Sequence, residues 1–79
     1  MKSVPERAMS ARETMDAYFL EVRAKLIEIG ATLDRVDRAP GLVELRGDSR
    51  LIFIHDALEI LKSGEPNRAE LLQRRYSQE

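Results

Sequence analysis

Apolar residues recur alternately four and three positions apart along the first half of the chain, a spacing that keeps them on one side of an α-helix. We call this set the first stripe; it consists of Met15, Phe19, Val22, Leu26, Ile29, Leu33 and Val36. Ser10 and Glu13 have the form of a capping box, and Pro40 disfavours helical geometry at the residue before it. The sequence therefore predicts one long amphipathic helix from about Ser10 to Asp37 or Arg38.

The same helix carries a second apolar line, on a different face. This second stripe consists of Ala17, Leu20, Ala24, Ile27 and Ala31. It lies roughly 120° or more from the first stripe at about 100° per residue, and charged residues separate the two. The alanines beside Leu20 and Ile27 would let another helix approach closely. A helix with two apolar faces needs more than one packing partner.

Two shorter helices are predicted after the break at Pro40 and Gly41. In the segment between, Val43 and Leu45 alternate with charged neighbours, which also suits a short extended stretch, although no second strand exists to pair with it. We expect Leu42 and Leu45 to cover the end of the helix pair. The second helix is predicted from Leu51 to about Ser63, with Asp48 or Ser49 as its N-cap and Gly64 after its end. The third helix is predicted from Arg68 to about Ser77, and Asn67 and Glu70 before and within its first turn have the capping-box form.

The predicted fold class is all-α: a long antiparallel helical hairpin with a broken second arm, in one domain over residues 1–79 with a frayed lead at 1–9. The second helix is apolar over an arc of about 180°, more than one packing contact needs. We therefore expect a homodimer with a four-helix-like core; the alternative is that the third helix folds back over the second stripe. The expected interface consists of Met15, Phe19, Leu20, Val22, Ala24, Leu26, Ile27, Ile29, Leu33, Phe53, Ile54, Leu58 and Leu61.

Composition narrows the classes of function. The 79 residues make a domain whose single core is marginal without support, and the absence of cysteine excludes disulfides, so self-association is the first support to consider. The charges of thirteen basic and fourteen acidic side chains nearly cancel, so the net charge does not favour electrostatic binding to nucleic acid or to a membrane surface. With no signal peptide or membrane span in the pattern, we expect a cytoplasmic protein.

Candidate chemistry is sparse, and we predict no enzymatic activity, no cofactor and no metal. His55, Asp56 and Glu59 lie together on the polar face of the second helix. His55 and Glu59 could offer a metal two ligands, but two are too few, and an exposed polar face explains these residues much better. Glu21 and Glu28 share one face of the long helix, but the Glu-x-x-His pattern that a di-metal bundle needs on its other helices is absent, because Ile52 lies three residues before His55. Lys25 between the two glutamates suits an ion pair with Glu21.

Arginines form two groups that could contact phosphates or a partner protein. They are Arg35, Arg38, Arg46 and Arg50 around the first connection, and Arg68, Arg74 and Arg75 on the third helix; all but Arg68 form the predicted polar contact surface. Acidic neighbours neutralise the first group, and no aromatic residue interleaves with either, Tyr76 standing alone. The leading hypothesis is a non-enzymatic homodimeric module for protein interaction or regulation, with an unidentified partner protein. The alternative is a small nucleic-acid-binding regulator.

Overall fold

The protein is all-helical over the part of the chain that can be described. The computed structural model describes residues 9–77, with side chains to Tyr76. Its elements are α1 (Ala11–Arg38), a short 3₁₀ helix (Leu42–Leu45), α2 (Ser49–Lys62) and α3 (Arg68–Ser77). The all-α class and the three predicted helices are confirmed, with bounds within two residues of those expected. The predicted frayed lead lies, apart from Met9, outside the described residues.

The capping box at the start of α1 is formed as predicted. The backbone N–H of Glu13 donates to Ser10 Oγ at 3.0 Å, and the backbone N–H of Ser10 donates to Glu13 Oε1 at 2.9 Å. These two bonds satisfy amides that have no partner within the helix. At the other end, Ala39 has extended backbone angles (φ −77°, ψ 150°) because it precedes Pro40.

The connection after α1 is helical rather than extended. Gly41 has a φ of +87°, a conformation that suits glycine, and the backbone N–H of Glu44 donates to its carbonyl oxygen at 2.9 Å to open the 3₁₀ helix. With no strand to pair with, the backbone of this segment bonds to itself. Asp48 is then the N-cap of α2, which was one of the two caps expected.

The start of α3 differs from the prediction. Asn67 has a φ of +62°, whereas an N-cap of the capping-box type has extended angles, and the Glu70 carboxylate accepts a bond from Arg74 at 3.0 Å. The reciprocal bonds seen at Ser10 are therefore not repeated at this helix. Asparagine accommodates the left-handed conformation more readily than most residues, and this lets the chain turn sharply after Pro66.

Contacts within the chain group it into two compact units, Met1–Ala39 and Pro40–Glu79. In the described residues the first unit consists of α1, and the second contains the 3₁₀ helix, α2 and α3. Within the second unit α2 packs on α3: the ring of Phe53, near the start of α2, meets the ring of Tyr76, near the end of α3. The two helices therefore run in opposite directions. The predicted hairpin between α1 and the return arm, and its dimerisation, stay predictions.

Candidate interaction surface

Apolar side chains of α1 are widely exposed. Between residues 9 and 76 no hydrophobic side chain is fully buried. On the first stripe, the exposed fraction is 61% for Met15 and 53% for Leu26, and on the second stripe it reaches 76% for Leu20. Such a continuous exposed face is uncommon on a monomeric soluble protein and typical of a surface that binds another protein.

The two stripes lie on nearly opposite sides of α1. Their centres are roughly 170° apart at about 100° per residue, with charged side chains between them. On one of the intervening faces, Lys25 Nζ lies 3.4 Å from Glu21 Oε2, the ion pair expected four residues apart. Both side chains are well exposed, so the pair contributes little to stability and marks a solvated border.

The second unit has a partly covered apolar face. Phe53, Ile54 and Leu58 on α2 are half-buried, whereas Ile52 and Leu61 are exposed. Phe53 and Tyr76 meet edge to face, with ring centroids 5.2 Å apart and planes at 64°. Beside them the surface forms a shallow depression. Its lining consists of Phe53, Leu72, Gln73 and Tyr76.

Arg50 is tied to the cap of its own helix. Its Nε and Nη2 donate to the two carboxylate oxygens of Asp48 at 3.0 and 2.9 Å, and its backbone N–H donates to Oδ1 at 2.8 Å. These bonds, first from the side chain and then from the backbone, lower the pKa of Asp48 from its ordinary value of 3.8 to about 2. The same contact raises the pKa of Arg50. The Arg50 guanidinium is therefore already occupied by a carboxylate.

Both arginines of α3 also have carboxylate partners. Arg74 Nη2 lies 3.0 Å from Glu70 Oε2 within the helix, and Arg75 Nη1 lies 2.9 Å from Asp56 Oδ2 on α2. By contrast, Arg35, Arg38 and Arg46 have no ion-pair partner within the described residues. The six arginines predicted as a polar contact surface thus divide into three paired and three unpaired side chains.

Two contacts of the second unit escaped the sequence reasoning. Tyr76, predicted to stand alone, packs against Phe53, and Asp56, predicted to lie on an exposed polar face with His55, pairs with Arg75. In both contacts the partners belong to different helices, so no local spacing could indicate them. A tyrosine and an arginine adjacent in sequence near a helix end were the only available signal.

The His55 face offers little for coordination. Lys62 Nζ lies 3.7 Å from Glu59 Oε2, and Asp56 is occupied by Arg75. Among the described residues no group of three potential metal ligands lies close together. Nor, within that same range, is any helix sufficiently long and apolar to cross a bilayer.

These observations define an all-helical protein whose distinguishing feature is exposed apolar helix surface rather than a chemical site. No family model matches the chain, and no curated protein or solved structure is significantly similar to it.

Proposed function

We propose that the protein is a homodimeric interaction module with no enzymatic activity of its own. A single observation carries the proposal: in residues 9–76 no hydrophobic side chain is fully buried, while a regular apolar line runs along α1. A helix in water owes most of its stability to packing of such a face against another surface. A second copy of the chain supplies a matching surface at the same concentration as the protein itself.

The energetics indicate which surfaces must take part. Full burial of a large apolar side chain contributes about 1.5–3 kcal/mol. Five first-stripe residues are between 37% and 61% exposed, so pairing two copies recovers roughly 1 kcal/mol for each side chain, about 10 kcal/mol in total. The loss of translational and rotational freedom on association costs about 4–15 kcal/mol. The exposed first-stripe residues are Met15, Phe19, Val22, Leu26 and Ile29.

Because these two quantities are comparable, the first stripe alone gives weak pairing. Additional apolar surface on α2 strengthens it: Leu61 is 41% exposed and Phe53, Ile54 and Leu58 are only half-buried. We therefore propose that the first stripe of α1 and this face of α2 each take part in self-association through contacts of their own. The second stripe remains for another helix, from this chain, from a copy or from a partner protein.

The arginines support protein interaction over nucleic-acid binding. Arg50, Arg74 and Arg75 already hold carboxylates, and breaking those pairs would offset part of any gain from phosphate contacts. A titration with labelled RNA and DNA at low salt separates the two functions. We expect no binding above the weak level of a nearly neutral protein, whereas strong binding that falls steeply with salt would favour the nucleic-acid alternative.

Light scattering on a sizing column, over a hundredfold range of concentration, tests the homodimer. One chain has a mass of 9.0 kDa, so the dimer is expected at twice that value, 18.0 kDa. A fall toward the single-chain mass on dilution gives the dissociation constant. A monomer at every concentration would contradict the proposal and leave the stripes to a different protein or to the chain itself.

A further inference from the structure

We propose that two copies of the chain pair through the first stripe with their α1 helices parallel, an inference that rests on the proposed self-association. The evidence lies in the residues that border the stripe, which face each other when two helices pair and so decide orientation. One border consists of Asp16, Arg23, Gly30 and Asp37, and the other consists of Tyr18, Lys25 and Thr32.

In a parallel pair, each residue of the second border faces the residue five positions later in the other copy. Tyr18 then meets Arg23 of the second copy, an arrangement that suits a cation over an aromatic ring. Thr32 meets Asp37 of the second copy, and its hydroxyl can donate to the carboxylate. No like charges oppose each other. Every border contact is neutral or favourable.

The remaining parallel contact places Lys25 beside Gly30 of the second copy. Apart from its chain neighbours and the nearby backbone of its own helix, a Cβ atom added at Gly30 would meet no atom of the described residues within 4 Å. Glycine in the middle of a helix costs about 1 kcal/mol relative to alanine. Its position here leaves room for the long Lys25 side chain to lie along the second helix.

An antiparallel pair brings identical borders together. In the fully overlapped register, centred on Leu26, Asp16 opposes Asp37 of the second copy at both ends, and Lys25 opposes Lys25. Opposed like charges are destabilising. A shift by one heptad relieves these contacts, but it leaves the first heptad of the stripe uncovered. Parallel pairing is the arrangement that covers the whole stripe without repulsion.

Disulfide trapping reads the orientation directly, because the chain contains no cysteine and an introduced one is the sole thiol. Arg12 is exposed and lies seven residues before Phe19, in line with the stripe. In a parallel pair the two copies of position 12 are neighbours, whereas in the antiparallel pair they are about 40 Å apart. A disulfide requires Cα atoms within about 7 Å.

We expect Arg12→Cys to form a disulfide-linked dimer in glutathione buffer at least about tenfold faster than the matched control Glu21→Cys, whose position lies outside both borders. A mixture of Met15→Cys with Val36→Cys tests the opposite orientation, since in the antiparallel register centred on Leu26 position 15 of one copy opposes position 36 of the other. Mass spectrometry of the linked peptides identifies the products.

The outcomes separate this inference from the proposed function. Links between two copies of position 12 support parallel pairing. Predominant links between positions 15 and 36, with the dimer mass retained, overturn the orientation but leave the homodimer. A dimer mass with neither link shows that the copies meet through another face, which also overturns the inference. A monomeric mass with neither link contradicts self-association itself.

Discussion

Truncation of a single leucine distinguishes the two faces of α1. Leu26 lies in the middle of the first stripe and is 53% exposed, whereas Leu20 lies on the second stripe and is 76% exposed. We expect Leu26→Ala to weaken the homodimer strongly and Leu20→Ala to leave it almost unchanged. Both changes remove the same atoms from the interior of the same helix, so their effects on helix propensity are equal.

The size of the Leu26 effect follows from its exposure. About half of a burial energy of 1.5–3 kcal/mol remains to be gained on pairing, roughly 1 kcal/mol per copy and 2 kcal/mol for the two copies. Incomplete closure of the cavity raises the total to about 2–3 kcal/mol. At 1.4 kcal/mol for each factor of ten, the dissociation constant should rise about 30- to 150-fold.

Sedimentation equilibrium of the two variants and the unchanged protein measures the dissociation constants directly. Circular dichroism at the same concentrations controls for loss of helix. We expect less than about a threefold change for Leu20→Ala. An unchanged constant for Leu26→Ala, or equal weakening by both substitutions, would refute the assignment of the dimer to the first stripe.

Three further predictions concern local features. The pKa of Asp48 is lowered from 3.8 to about 2, so its ionised form stabilises the start of α2 above about pH 4, and this contribution is lost as the pH falls toward 2. Arg50→Ala should raise the midpoint of the Asp48 carboxyl titration measured by NMR. An unchanged midpoint would contradict the bidentate contact. Gly30→Ala should stabilise α1 by about 1 kcal/mol in thermal unfolding, since the added methyl group contacts no side chain of the described residues. A more than tenfold rise in the dimer dissociation constant would instead place a partner's backbone against Gly30. Tyr76→Ala should release α3 from α2, speed the amide hydrogen exchange of α3 and lower the free energy of unfolding by about 2 kcal/mol. Arg75→Ala should lower it by less than about 1 kcal/mol, because that ion pair is half exposed. The reverse order would contradict the ring contact as the main attachment of α3.

The helices were predictable because their signals are local. The Ser10 and Glu13 capping box, the apolar spacing and the break at Pro40 all act within a few residues, and each has the expected effect on α1. The Asp48 cap of α2 and the Glu21–Lys25 ion pair follow in the same way. The exposed apolar stripes, which form the candidate site, were likewise evident from periodicity.

The prediction failed where a residue's backbone angle or a contact between helices decided the outcome. Asn67 adopts a left-handed conformation and does not form a capping box with Glu70, although its sequence context matches that of Ser10. The packing of Tyr76 on Phe53 depends on the sharp turn after α2, which brings distant residues together. The same turn brings Arg75 beside Asp56, so the Asp56 carboxylate forms an ion pair with Arg75 and is not part of a solvated polar face with His55.

The sequence by itself determined the three helices of this protein and the two apolar faces of α1, because hydrogen bonding within a helix and a period of about 3.6 residues are properties of neighbouring residues. The tertiary structure alone decided which polar groups pair between helices, as Asp56 on α2 does with Arg75 on α3. Arg35, Arg38 and Arg46 have no ion-pair partner in the described part. It also showed that the described chain buries no hydrophobic side chain fully. Burial depends on which surfaces meet in three dimensions, and a periodic pattern specifies the face of a helix but not its occupant.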